Sequence, residues 1–196
     1  MSTLHGFGKL PASGDFLHLN LNAAGREGVH QWLSQGLSSC VQQHSPTWWD
    51  HYFHMPMLAF ISHSGMNGLL GPAPVAGVWM PSVDTVGRPF PFMAWTELHT
   101  NGPCATVVLQ LAHVLTQALD ENWPADRVEA AWLVHATPTA PDDTTTPGPH
   151  ADGWWSVHSG PDGLALNWSN HVADTTPLST VLDTLAPPPQ AHSHVG

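Results

Sequence analysis

The sequence predicts an α/β sandwich whose sheet is mixed or largely antiparallel, and three observations carry that reading. Short apolar segments at 57–62, 75–80 and 90–97 follow one another with Gly and Pro clusters between them, as the strands of a meander do. Stretches with apolar residues at three- and four-residue spacing precede and follow this run, which is the period of a helix that buries one face. A further pair of apolar segments flanks Gly160-Pro161-Asp162-Gly163, a hairpin signal. The strands are bunched rather than separated one by one by helices, so a strictly alternating parallel fold does not fit.

In chain order, 4–10 and 14–19 are apolar segments broken by a turn at Pro11 to Gly14, read as a strand and its extended continuation. Asn22 can cap a helix over 23–43, where Val29, Leu33, Gly36, Leu37, Cys40 and Val41 recur at helical spacing. Gly25, Gly28 and Gly36 make this helix weak on its own, so it requires tertiary packing. Ser45-Pro46 reads as the next helix start, with Ser as N-cap and Pro at the first helical position. That short helix carries Trp48, Trp49, Tyr52 and Phe53 and should end before Pro56.

After the three central strands, Val107, Val108, Leu111, Val114, Leu115, Ala118 and Leu119 form a helical stripe over 105–120. Val128, Ala131, Trp132 and His135 suggest another helix after Pro124. Residues 137–150, rich in Pro, Thr, Asp and Gly, read as a loop or linker. The hairpin at 154–169, a short helix over 177–185 and a Pro187-Pro188-Pro189 tail complete the chain. The expected organisation is a single domain: a core in 1–136, the 137–150 loop, a hairpin and short helix over 151–186 that complete the same domain, and a disordered tail at 187–196.

Composition narrows the function. With 196 residues, 42% apolar content and ten Trp, the chain can bury a substantial core. Charged residues make up only 10%, against roughly 25% in ordinary soluble domains, so the surface is polar but charge-poor. Ten of the fifteen acidic side chains and one of the four Lys and Arg fall in 120–196, so most of the net charge of −11 belongs there. Four basic side chains cannot neutralise many phosphates, which argues against nucleic-acid binding and against attraction to anionic membrane. A neutral or basic protein partner fits better. Fifteen His would carry the net charge towards zero as they protonate near the ordinary value of about 6.5, so loss of solubility in mild acid is expected. Cys40 and Cys104 are the only cysteines, no basic n-region with an apolar run opens the chain, and no apolar run is long enough to span a bilayer. The expectation is a reduced, cytoplasmic location.

Two of the four basic residues sit inside compact motifs built from Gly, Pro and an acidic residue. The first is Gly8-Lys9-Leu10-Pro11-Ala12-Ser13-Gly14-Asp15-Phe16, and the second runs from Met80-Pro81-Ser82-Val83-Asp84 through Gly87-Arg88-Pro89-Phe90-Pro91. Gly8-Lys9 invites a phosphate-binding reading, but Leu10 stands where a P-loop needs Ser or Thr, and Thr3 stands where it needs its first Gly. A Pro-Gly turn fixing the exit of an edge strand, with Asp15 capping local amides, is the plainer reading. In the second motif an Arg fork can take the Asp84 carboxylate and hold the turn rigid. Lys9, Asp15, Ser82, Asp84 and Arg88 are therefore the candidate residues of the two motifs, either for structural bracing or for binding a partner. The sharper alternative is that Lys9, Asp15, Asp84 and Arg88 converge into one polar patch that binds a partner or a small anion. The two are compatible, since a rigid loop makes a good recognition surface.

These motifs, in this order and with a Trp-bearing helix between them, resemble the TagF family, also called ImpM, which is associated with bacterial type VI secretion. The likeness covers roughly 5–100 well and the C-terminal half only in outline, through Trp154-Trp155 and Leu164. It implies a three-layer αβα sandwich and a non-enzymatic cytoplasmic accessory protein. Such a protein restrains assembly or firing of the secretion machine after translation, through a forkhead-associated scaffold protein. It implies no catalytic residues, and no cofactor or metal is expected. The long Pro and Thr loop at 137–150 and the many His depart from the family pattern.

Other constellations are weaker. His51 and His54 lie at i, i+3 and His192 and His194 lie in the tail, but no HExxH pattern or paired-Cys set accompanies them, so surface His unrelated to zinc is the expectation. A Ser82, Asp84 and His triad can be assembled on paper, yet no GxSxG elbow supports a hydrolase. Trp48-Trp49 and Trp154-Trp155 would place neighbouring indoles on opposite faces if extended, making one of each pair either core or an interface anchor.

Overall fold

A computed structural model describes residues 3–98, 104–135, 152–160, 163–167 and 169–186. The 137–150 loop and the 187–196 tail, with His192 and His194, lie outside the described residues. Seven strands form one sheet: β1 (Leu4–Gly8), β2 (Leu17–Leu19), β3 (Leu58–Ser62), β4 (Val75–Met80), β5 (Phe92–Glu97), β6 (Gly153–Gly160) and β7 (Gly163–Leu166). Their order is β2-β1-β5-β4-β3-β6-β7. Every pairing is antiparallel, so the mixed component of the expected sheet is corrected. Among these strands, sequence neighbours that pair do so as hairpins or wide loops. The two pairings between strands distant in sequence, β1 with β5 and β3 with β6, also run antiparallel, so no parallel crossover is required.

The helices are α1 (Ala23–His44), α2 (Trp48–Tyr52), α3 (Cys104–Asp120), α4 (Ala125–His135) and α5 (Leu178–Leu185). The side-chain period of two along each strand sends successive residues to opposite faces. On one face Ala59, Ala76, Ala94 and Ile61 pack under the α3 stripe of Val108, Leu111 and Leu115, with Trp132 of α4. On the other, Phe60, Trp79, Trp95 and Trp154 meet Leu33 and Leu37 of α1, Trp48 and Tyr52 of α2, and Leu182 of α5. The sheet meets α3 mostly through Ala and aliphatic side chains on the first face, and presents mostly aromatic ones on the second. Trp154 and Trp155 do point to opposite faces, but both are buried because both faces are covered. Of the other pair, Trp48 is buried and Trp49 remains 37% exposed.

Asn22 caps α1 as its sequence position suggests, its Oδ1 accepting from Gly25 N at 2.8 Å. Two local readings need correction. Residues 14–19 do not simply extend the first strand: β2 folds back and pairs with β1, Gly6 facing Leu19 and Gly8 facing Leu17. Ser45 is not an N-cap; it ends α1, donating its N–H to Val41 O at 3.0 Å, with ψ of 141°. The following Pro keeps Ser45 out of the helical region and helps to close α1, and the N-cap position of α2, which begins only at Trp48, falls to Thr47.

Candidate functional site

The two motifs meet at the end of the sheet where β1 and β5 lie side by side. Gly8 makes this possible. It sits at φ +141°, and a Cβ there would stand 2.0 Å from Pro91 O, so only Gly lets the first motif lie against the second. Lys9 N–H then donates to Pro91 O at 3.3 Å and Thr85 N–H to Ser13 O at 3.0 Å. The second motif turns back on itself through Gly87, at φ +80°, whose N–H donates to Asp84 O at 2.9 Å.

Asp84 is the centre of the assembly and is 1% exposed. Its Oδ1 accepts the backbone N–H groups of Val86 at 3.1 Å and Arg88 at 2.9 Å. Its Oδ2 accepts Lys9 Nζ at 3.0 Å and Arg88 Nε at 2.6 Å. Four donors, two of them cationic, therefore saturate one carboxylate. The Arg88 fork does not close on Asp84 bidentately: its Nη2 reaches across to Gly14 O at 2.9 Å, tying the guanidinium to the first motif. Burial alone would push the Asp84 carboxyl up, but hydrogen bonds from Arg88 N–H, Lys9, the Arg88 side chain and Val86 N–H outweigh it and hold it well below the ordinary 3.8. Lys9, 8% exposed, also lies over the Phe16 ring at 5.2 Å.

The remaining sequence candidates fall outside that cluster. Asp15 is exposed and does not cap: its own backbone N–H donates to Ser13 Oγ at 3.3 Å, so Ser13 is the capping side chain of this turn. Among the described residues no ion pair or hydrogen bond joins the Asp15 carboxylate to Lys9, Asp84 or Arg88. Ser82 is buried behind the cluster, and its backbone is what matters there. The Tyr52 hydroxyl accepts Ser82 N–H at 2.9 Å and donates to Ser82 O at 3.0 Å, anchoring the second motif to α2. Burial raises the Tyr52 phenol above its usual 10.0, so it stays protonated and keeps both bonds. Among the described residues Ser82 Oγ has no hydrogen-bond partner and Asp84 is filled by other donors, so these two do not form part of a triad there.

Tyr52 escaped sequence reasoning, although it is the single tyrosine of the chain, and a buried phenol must place its hydroxyl somewhere polar. A second missed feature is aromatic. Phe16 stacks on Phe7 with centroids 5.5 Å apart, Phe90 meets Phe16 edge-on at 4.8 Å, and His30 of α1 lies 5.1 Å from Phe16 and 5.8 Å from Phe90. The four rings join both motifs to α1, each close pair contributing about 0.5–1.5 kcal/mol beyond its burial.

Elsewhere, His51 Nε2 bonds Ala186 O at 2.6 Å and His54 Nδ1 bonds Asp50 O at 2.7 Å. Among the described residues, no group of three or more His, Cys, Asp or Glu is placed to hold a metal ion. Burial, reinforced by the Asp183 charge, pushes the Cys40 thiol up to about 12, which leaves no thiolate at neutral pH. No helix among the described residues is long and apolar enough to cross a membrane.

With both motifs and their bracing in view, comparison with known proteins is decisive for the family. The model of the TagF N-terminal domain, type VI secretion system-associated, matches residues 6–133. The chain belongs to this family. The TagF match spans Lys9, Asp84, Arg88, Tyr52 and the aromatic cluster, and β6, β7 and α5 lie beyond it. The crystal structure of PA0076 from Pseudomonas aeruginosa PAO1 is similar in fold, with a TM-score of 0.67, 23% sequence identity and coverage of 96% of each chain. No match is found among curated proteins.

Proposed function

We propose that this TagF-family chain is a non-enzymatic, post-translational regulator, a repressor, of type VI secretion that works in the cytoplasm by binding a scaffold component with a forkhead-associated domain. The observation that carries the reading is the saturated Asp84. Its four donors turn two Gly and Pro loops into one rigid body. Chemistry needs a group left reactive, whereas recognition needs a fixed surface, and this cluster supplies the second. The alternative, a sensor or enzyme for a small anion, is disfavoured by the same geometry, because Asp84 already occupies the place an anion would take between Lys9 and Arg88. Lys9, Ser82 and Asp84 are assigned bracing roles, and Arg88 both braces and faces outward, its side chain 63% exposed. The two apolar clusters, one on each side of the sheet, support a three-layer αβα arrangement in a single domain that includes 151–186.

Capture from a type VI-competent bacterium, with the full chain as bait, tests the proposal. A forkhead-associated secretion component should be retained, and overproducing the chain should lower secretion. Retention of no secretion component by folded bait would refute it. Running Arg88→Ala and Lys9→Ala side by side separates the roles: lost capture with unchanged melting means recognition, and loss of both means bracing.

A further inference from the structure

Beside the braced motifs lies an open groove of about 390 Å³, within the roughly 300–1,000 Å³ range of ligand sites. Leu37 and Val41 of α1, Trp49 of α2 and Pro89 and Phe90 of the second motif give it an apolar lining, to which α1 adds Ser34, Ser38 and Gln42. None of the residues that line it ionises. Both of its aromatic side chains are held from behind. Trp49 meets Tyr52 edge-on at 5.6 Å, and Tyr52 is bonded to Ser82; Phe90 is one of the four packed rings. The groove is therefore preformed, which lowers the ordering cost of binding. Trp49 of α2, Phe53 at its C-cap and Val86 of the second motif, at 37%, 52% and 72% exposed, leave large apolar side chains in solvent.

Charge selects the occupant. Lys9 and Asp84 cancel in a buried pair, while Arg88, next in sequence to the lining residue Pro89, spends Nε on Asp84 and Nη2 on Gly14 and keeps 63% of its side chain in solvent. A largely apolar trough next in sequence to one outward guanidinium fits an apolar segment that carries a carboxylate, so at this face the local cation outweighs the chain-wide acidity that favours a neutral or basic partner. We infer that this groove is the docking site for a short segment of a partner protein that inserts aromatic, aliphatic or Pro side chains between Trp49 and Phe90 and pairs an Asp or Glu with Arg88. The inference rests on the partner-binding reading and names the surface through which it acts. A small metabolite fits poorly, because the trough is open and its polar lining, Ser34, Ser38 and Gln42, comes from α1 alone rather than converging from several sides.

A displayed library of random peptides, panned against the full chain, supplies the probe; one enriched peptide is then labelled and its affinity measured. Enriched peptides should place Trp, Phe, Leu or Pro within a few residues of Asp or Glu. Trp49→Ala should weaken the peptide by about tenfold or more, as an interface anchor does. Ser38→Glu, an exposed helix position that leaves the core untouched, should weaken it as well, and Ser38→Lys should tighten it. Enrichment of Lys- and Arg-rich peptides, no enrichment above background, or affinity indifferent to both Trp49→Ala and Ser38→Glu would overturn the inference. So would a concentration-dependent dimer of the wild-type chain that Ser38→Glu abolishes, since a second copy would then be the occupant. Capture of the secretion component that survives both substitutions leaves the regulator reading standing and removes only the groove.

Discussion

The motif loops and the C-terminal segment are both pinned to the body of the protein through carboxylates, but by donors of different kinds. Asp84, with a side chain wholly buried, is held by Lys9, Arg88 and two backbone amides. The C-terminal segment is held by His and Ser: His44 on Asp183, His63 on Asp152, Ser62 and Ser64 on Asp174, and His51 on the Ala186 carbonyl. Lys and Arg stay charged throughout the range in which the protein works, whereas His carries charge only when protonated. Asp183 and Asp152 are also about one-third exposed, so water competes for them. The N-terminal motifs are thus braced by fixed charge, whereas the exposed His–Asp ties of the C-terminal segment are a lighter addition to the β6–β3 pairing and the packing of α5. That contrast agrees with a recognition role for the motif side.

Breaking the motif side should produce the largest effect. Asp84→Ala strands a buried ammonium and frees both loops, and its melting temperature should fall further than that of any other variant named here. Asp84→Asn probes the charge itself. The folded-state carboxyl lies well below the ordinary 3.8, so its contribution is complete above that value and is lost as the pH drops below it towards the depressed folded value. Urea midpoints measured from about pH 6 down to about pH 2 should fall more steeply in the wild type than in Asp84→Asn. Parallel curves would mean that Asp84 is not the charge the loops are built on.

Gly8→Ala comes next. A residue forced to φ +141° costs about 1–3 kcal/mol for its backbone alone, and the Cβ clash with Pro91 O adds to it. Thermal melting should show the loss, together with increased proteolysis within 81–91 as the motifs separate. Tyr52→Phe is a gentler cut on the same side. It leaves Ser82 N–H and O without the hydroxyl that serves both, which costs about 1–3 kcal/mol in urea unfolding. An unchanged midpoint would show that the second motif stands without its anchor on α2.

How far these features could be read in advance follows the range of the forces involved. The α1 cap at Asn22, the α3 stripe and the β4 and β5 strands are written in local chemistry and spacing, and they appear where spacing puts them. The pairing of Asp84 with Arg88 was legible for the same reason, since both lie in one turn. Lys9 on Asp84 spans 75 residues, and only a third party, the close approach that Gly8 allows to Pro91, brings them together. Asp15 resembled a cap by type, yet the capping side chain of this turn is Ser13, which accepts the N–H of Asp15 itself. Ser45-Pro46 suits a helix end as well as a helix start, since extended backbone serves both, and the α1 ladder, in which Ser45 N–H still donates to Val41 O, decides for the end. Tyr52 could not be assigned a partner from sequence because both of its bonds go to backbone 30 residues away, which has no side-chain signature.

The C-terminal fastening supplies the smallest effect. His44 Nε2 and Asp183 Oδ1 are 2.8 Å apart and their side chains are 26% and 34% exposed, so Asp183→Asn should cost only about 0–1 kcal/mol. A more sensitive readout lies beneath. Cys40 is wholly buried in the cluster that α1 shares with α5, and burial, ahead of the Asp183 charge, is what raises its thiol. Removing the charge while α5 stays docked should therefore leave Cys40 protonated and slow to react with a thiol reagent at neutral pH. Fast labelling of Cys40 in Asp183→Asn, with the rest of the fold intact, would mean that α5 has lifted away and that this one pair fastens the segment. Slow labelling would mean that Leu178, Val181 and Leu182 hold it by packing, with the His–Asp pair a trim on an apolar joint.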